Sequence, residues 1–231
     1  HVLRGTYLIT QQINVNIPGL TIQGAAGAVI LLEAPVVPFL CSGGNNTIDG
    51  LTMTSDNPYP VEFIQISGDG NQILNCQIYG PNQPGDSSTW IVNRGFVTQG
   101  NATNLLVRNN IFHTLRQSAY LNPGSTGTII HNVVYNTRGY VVDQATFLFS
   151  GNSWGIPENT ADIALLSAQY PARRMILFLP WKPATAALPS VINVKRCGSF
   201  FTPLKLILSA KYPSVPTVPD ELYMFVRLLL A

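Results

Sequence analysis

Two arginine–histidine groupings and one aromatic-bearing loop are where this 231-residue sequence could do chemistry. Arg108 and His131 occupy matching places in successive segments, and a guanidinium beside an imidazole can stabilise an anion or carry a proton. His113 and Arg116 follow closely after Arg108, and Arg94 ends a turn-rich stretch that bears Trp90. An arginine near an exposed aromatic suits sugar binding, through stacking and charge-assisted hydrogen bonds. Asp49 and Asn75 fall in the same polar line as Arg108. The candidates are therefore Arg108, His131, His113 and Arg116 for catalysis, and Trp90, Arg94, Asp49 and Asn75 for ligand binding. Each has a plainer reading. The polar line is a solvated surface ladder, and Trp90 covers the base of its own loop. Asp69, between two glycines, resembles a calcium turn but is more simply a tight turn. Cys41, Cys76 and Cys197 are an odd number without metal-site spacing, so neither a disulfide framework nor a metal site is expected.

These residues are positioned by a repeat. Six segments align: 20–24, 47–53, 73–79, 106–112, 129–135 and 148–154. Each runs from an apolar residue through a polar one to Gly, Cys or Asn, then back to apolar or aromatic. The third position reads Gly24, Gly50, Cys76, Asn109, Asn132, Gly151, at steps of 26, 26, 33, 23 and 19 residues. Such a pattern predicts a solenoid in which each unit is a strand, a sharp bend and another strand. Gly or Asn at the bend tolerates left-handed backbone. Asparagines in register can stack as a ladder, and Asn109 and Asn132 are expected to do so. Alternation turns Ile48, Leu74, Val107 and Ile130 to one interior. Met53, Tyr79, Phe112, Tyr135 and Trp154 are expected to form a second stack. The outward line before the bend then reads Gln23, Asp49, Asn75, Arg108, His131, Ser150. The longest step holds Pro81-Asn-Gln-Pro-Gly-Asp-Ser-Ser-Thr-Trp90, a loop leaving the solenoid.

The opening Gly5-Thr-Tyr-Leu-Ile-Thr, with Ile17-Pro-Gly-Leu-Thr-Ile-Gln-Gly24, resembles the first coil of the right-handed parallel β-helix, or pectin-lyase-like, superfamily. The resemblance runs from residue 1 to about 155 and concerns fold rather than chemistry. It implies an all-β, right-handed parallel β-helix of about six to seven coils. The short helix that usually precedes the first coil in the superfamily is missing, so His1 is expected to lie inside a longer protein. Lyases of this superfamily hold Ca²⁺ on clustered acids and use Arg or Lys as base; its pectin hydrolases carry paired aspartates with Gly-His-Gly and Arg-Ile-Lys. Those strings are missing here, the acids are scattered, and no lysine precedes Lys182. Ca²⁺ remains conceivable on family grounds, but no motif for it is seen and no cofactor is expected.

Composition divides the chain. Residues 1–170 hold 18 of 19 glycines and set five arginines against nine acids; the remainder sets eight bases against Asp220 and Glu221. The net charge of +2 is therefore a sum of unlike parts and supports no nucleic-acid partner. The domains expected are a β-helix at 1–158, a capping helix at 159–170 with Thr160 as its cap, and an atypical basic, Pro- and Leu-rich tail at 171–231. That tail reads as a segment covering the solenoid, as a small domain, or as out-of-frame sequence. Its apolar runs are too short to span a bilayer. Two Asn-X-Thr sequons, at Asn45 and Asn101, read as accidents of an Asn-rich chain, and no signal peptide is seen.

Two functions compete. The first is a secreted or cell-surface module, non-catalytic, presenting a flank and a loop to a polysaccharide or surface glycan. The alternative is a polysaccharide lyase or glycoside hydrolase with a groove near Arg94, Arg108, His113, Arg116 and His131. The missing catalytic strings favour the first. Oligomeric state is not legible.

Overall fold

A computed structural model describes residues 1–166 and three further strands, Leu177–Pro180, Val194–Cys197 and Tyr223–Val226. The described chain winds as a solenoid of seven turns. The first face is built from Gly5–Ile9, Ala28–Leu32, Thr52–Ser55, Gln77–Tyr79, Ile111–Leu115, Val133–Thr137 and Ser153–Trp154. The second is built from Ile13–Val15, Phe39–Cys41, Val61–Ile66, Asn93–Thr98, Gln117–Leu121, Tyr140–Asp143 and Ile163–Leu166. The third is built from Thr21–Gln23, Thr47–Asp49, Gln72–Leu74, Leu105–Arg108, Thr126–Ile130 and Thr146–Ser150. Neighbouring strands on all three faces are parallel. The expected all-β solenoid is therefore present.

Its register differs from the sequence alignment by one residue in two coils. On the third face Ile22, Ile48, Ile73, Val107, Ile129 and Phe149 share one level. The inward residues of coils three and five are thus Ile73 and Ile129, not Leu74 and Ile130, which are half-buried. On the first face Met53, Ile78, Phe112, Val134 and Trp154 form the inner column. Tyr79 and Tyr135 stand one residue on and face outward. The core also takes Phe63, Ile64, Phe96, Leu121 and Tyr140, all essentially inaccessible. Each large apolar side chain so buried contributes roughly 1.5–3 kcal/mol.

The bends explain the shift. Left-handed backbone falls at Gly50 (φ 68°), Asn75 (52°), Asn109 (58°), His131 (56°) and Gly151 (61°). Gly, Asn and His therefore occupy equivalent bends, which composition alone does not reveal. The residue after the bend forms the buried ladder. Asn110, Asn132 and Asn152 each accept the main-chain N–H one coil back, from Cys76 (2.8 Å), Asn110 (2.9 Å) and Asn132 (3.0 Å). Their amide groups donate to the carbonyls of Ile73, Val107 and Ile129. Asn132 belongs to this buried ladder, whereas Asn109 stands at the bend beside it and bonds the preceding coil in a separate, exposed ladder, donating to Asn75. Cys76 occupies the ladder level rather than the bend. It is a buried thiol, as expected, which burial pushes up to about 12.

The helix expected with Thr160 as its cap is not formed in its described part. Ile163–Leu166 is a strand pairing in parallel with Tyr140–Asp143, because the exposed edge of the second face supplies hydrogen bonds that a short isolated helix lacks. Residues 167–170 lie outside the described residues. So does most of the tail; there, the backbone of Val194–Cys197 pairs with Ile163–Leu166, and Leu177–Pro180 pairs antiparallel with Tyr223–Val226.

Candidate functional site: a polar row beside the long loop

The loop predicted in the longest step spans 80–92, between a first-face and a second-face strand. Asp86 accepts the Ser88 N–H at 2.8 Å and caps the one short 3-10 turn of the described residues, Ser87–Thr89. Gln83 accepts the Ile91 N–H at 2.9 Å. The Trp90 indole N–H donates to the carbonyls of Pro84 (3.0 Å) and Gly85 (3.1 Å). Thr160, three coils further on, donates to the Asp86 carboxylate at 2.9 Å and lies 2.6 Å from Ser87 Oγ. The loop is therefore strapped along the solenoid axis. Trp90 is only 5% exposed, so it offers no ring face to a sugar. Its role is the plainer one, filling the base of the loop.

Arg94 stands where this loop rejoins the second face. Glu62, Arg94 and Gln117 are cross-strand partners on three successive coils. Glu62 and Arg94 are partly exposed, whereas Gln117 is buried at 3% exposure. The strand bends just after Glu62, since Phe63 and Ile64, adjacent in sequence, are both fully buried. Gly95 makes this bend close, since a Cβ there would lie 2.5 Å from the Ser118 carbonyl and 2.8 Å from the Phe112 ring. The Arg94 Nε–H donates to Gln117 Oε1 at 2.5 Å, and its guanidinium carbon lies 5.3 Å from the centre of the Tyr120 ring. Tyr120 in turn donates to Asp143 at 3.1 Å. Arg116 sits beside this row and donates from Nη1 to the Trp90 carbonyl at 3.0 Å, while its buried Nε has no partner.

Electrostatics couple the row. Burial holds the Glu62 carboxyl above the usual carboxylate range, against the opposing pull of Arg94. Burial likewise lowers Arg94, with Glu62 opposing that shift and Arg116 reinforcing it. Burial, and then Asp143, raises Tyr120.

His113 lies on the neighbouring first face and does not join this row. Its imidazole is sandwiched between Tyr79 and Tyr135, with ring centres 4.7 and 4.8 Å apart and planes within 7° and 5°. Gln77 donates to Nε2 at 3.2 Å, which leaves the Nδ1 proton for Thr114 Oγ1 at 3.0 Å. Thr114 adopts φ 53°, an outlying conformation for a β-branched residue. Burial lowers the His113 pKa.

The remaining candidates lie at the other end of the first-face strands. Asn75 donates to Asp49 at 2.7 Å and Asn109 to Asn75 at 3.3 Å, an exposed ladder. Arg108 pairs with Leu74 and Ile130, so His131 stands one place beyond it, at a bend, with its imidazole over Gly151. A single groove joining Arg94, Arg108, His113, Arg116 and His131 is therefore not formed. A first-face strand of five residues separates the two groups by roughly 15 Å. Asp69 makes side-chain bonds to Thr103 (2.6 Å) and Asn104 (2.8 Å), which lower its pKa.

Sequence reading missed Glu62, Gln117 and Tyr120. Glu62 is an isolated acid in an apolar run, and only strand register pairs it with Arg94. Glu62 and Asp143 sit three coil steps apart, and Asp143 lies one residue past the level of Ile66 along its strand, so they are separated by more than roughly 14 Å at about 4.8 Å per step. Paired glycosidase carboxylates stand about 5–9.5 Å apart. Among the described residues no group of three or more His, Cys, Asp or Glu could hold a metal, and no helix is long and apolar enough to cross a membrane.

Residues 8–161 match the family model described as right handed beta helix region. No curated protein and no solved structure matches the chain.

Proposed function

The chain belongs to the right-handed beta helix family, and we propose that it is a non-catalytic carbohydrate-binding module acting outside the cell or at its surface. The observation that carries this reading is the row Glu62–Arg94–Gln117 with Tyr120. It presents planar hydrogen-bonding groups on a rigid sheet, held in place before any ligand arrives. Prior ordering of this kind lowers the entropic cost of binding. The row follows the solenoid axis, so an extended glycan lying along that axis meets Glu62 and Arg94 on successive coils, with the buried Gln117 and the Tyr120 ring holding the Arg94 side chain in place. Arg94 and Arg116 favour sugars bearing carboxylate or sulfate, because a guanidinium forms strong paired bonds to such groups. Binding is proposed to need no cation.

Affinity electrophoresis in gels containing neutral or acidic polysaccharides tests this. Retardation by an acidic polysaccharide is expected, unaffected by chelator, lost in Arg94→Ala and kept in Arg108→Ala. A protein that migrates freely through every gel would overturn the reading.

One observation favours a polysaccharide lyase or hydrolase instead. A desolvated Glu62 carboxyl and a desolvated Arg94 sit side by side, as an acid and a base would. New ultraviolet absorbance from an unsaturated product, or new reducing ends, abolished by Arg94→Ala, would replace the binding module with an enzyme.

A further inference from the structure

We propose that Glu62 is a built-in competitor for Arg94, so that the site binds anionic sugar more tightly as the medium becomes acidic. This rests on the carbohydrate-binding reading above. Glu62 and Arg94 are direct partners on adjacent parallel strands. An anion bridging to the Arg94 guanidinium therefore enters within about one strand spacing, roughly 5 Å, of the Glu62 carboxylate. Two carboxylates, or a carboxylate and a sulfate, at that distance repel, and protonating Glu62 removes the repulsion.

The surroundings of Glu62 are specific. The strand Asn93–Thr98 brings Arg94, and Gln117–Leu121 brings Tyr120, with Arg116 just before it. Tyr140–Asp143 brings Asp143 against Tyr120, with Arg138 just before that strand. On the opposite side Cys41, a buried thiol, is level with Ile66, four residues beyond Glu62, and the segment before Phe39–Cys41 carries Glu33; the segment leading into the Glu62 strand carries Asp56 and Tyr59. Arg94 does not depend on Glu62 for its position. Its Nε bonds Gln117 and its guanidinium lies over Tyr120. Removing the Glu62 charge thus frees the cation without releasing its side chain.

The sign follows from linkage. Burial already disfavours the Glu62 carboxylate, so it takes up a proton above the ordinary carboxylate range. A bound anion disfavours the carboxylate further. Binding therefore takes up a proton, and affinity climbs as pH falls through the Glu62 titration. Were Glu62 only a structural partner of Arg94, neutralising it would leave binding unchanged or weaken it.

The test uses a sulfated oligosaccharide, whose sulfate stays ionised throughout, and the unsulfated oligosaccharide of the same backbone. Titration calorimetry covers about pH 4.5 to 7.5, the range spanning a raised glutamate. In the wild type the sulfated sugar is expected to bind more tightly at the acidic end. Glu62→Gln is expected to tighten binding at neutral pH by about fivefold, the low end of inter-site couplings, and to flatten the profile. Glutamine is isosteric, and the thermal midpoint of the variant verifies its fold. Binding of the sulfated sugar with the same pH profile in both proteins overturns the role of Glu62 alone. So does weaker binding by Glu62→Gln, or binding of the unsulfated sugar only. Failure of both sugars to bind at any pH overturns the carbohydrate reading itself.

Discussion

Asn132 Oδ1 accepts two hydrogen bonds from Asn110, one from its main-chain N–H and one from its side-chain amide, each at 2.9 Å. Nδ2 of the same side chain donates to the Val107 carbonyl at 3.1 Å. One carboxamide thus completes the bonding of two coils at a buried corner. Asn132→Ala should destabilise the fold by about 2–4 kcal/mol, since each buried group left unpaired costs about 1–3 kcal/mol. Asn109→Gly, at the neighbouring exposed bend with φ 58°, should be nearly neutral because glycine accepts that backbone freely. Urea denaturation of the two variants checks the contrast; equal losses would contradict the ladder.

Tyr140 is fully buried among Phe112, Phe149 and Trp154, and its hydroxyl has no partner. A buried hydroxyl without a bond is a net cost. Tyr140→Phe should therefore leave stability unchanged or raise it by up to about 2 kcal/mol. A denaturation midpoint lower than that of the wild type would show that the hydroxyl is bonded after all.

His113 between its two tyrosines should make stability depend on pH. Its folded pKa lies below the unfolded value near 6.5, so the unfolded chain binds more protons in that interval. Stability from this group is complete above about pH 6.5 and falls as pH drops through the folded pKa. Glu62 works the other way, since its raised carboxyl removes stability as pH rises through its own titration. In a His113→Phe variant the loss of stability as pH falls below about 6.5 should shrink. Nuclear magnetic resonance titration of the His113 ring, set beside thermal midpoints across that range, measures both.

Trp90 anchors the loop through its indole N–H and through the carbonyl that Arg116 binds. Trp90→Ala removes a buried aromatic, a change that typically costs about 3–5 kcal/mol in a tight core. Here the loss should fall first on the loop. Limited proteolysis is expected to cut within 80–92 in the variant and to spare the solenoid. Resistance of the loop equal to that of the wild type would assign the strap to Asp86, Ser87 and Thr160 instead.

The sequence by itself determined the architecture. Low charge, glycine and asparagine at recurring places, and apolar residues returning every coil leave a parallel solenoid as the one way to bury each repeat. It also marked the long loop. Tertiary structure decided which residue in each repeat does what. Gly50, Asn75, Asn109, His131 and Gly151 all tolerate the left-handed bend, so residue type could not distinguish the bend from the ladder beside it. A shift of one residue turns an inward side chain outward. It moved Tyr79 and Tyr135 from the core to the stack on His113, and separated Arg108 from His131. Pairing Glu62 with Arg94 needed the register across a 32-residue coil, whose long loop no local pattern could measure. Trp90 was buried by the fold of that same loop, because its indole N–H found carbonyls five and six residues earlier.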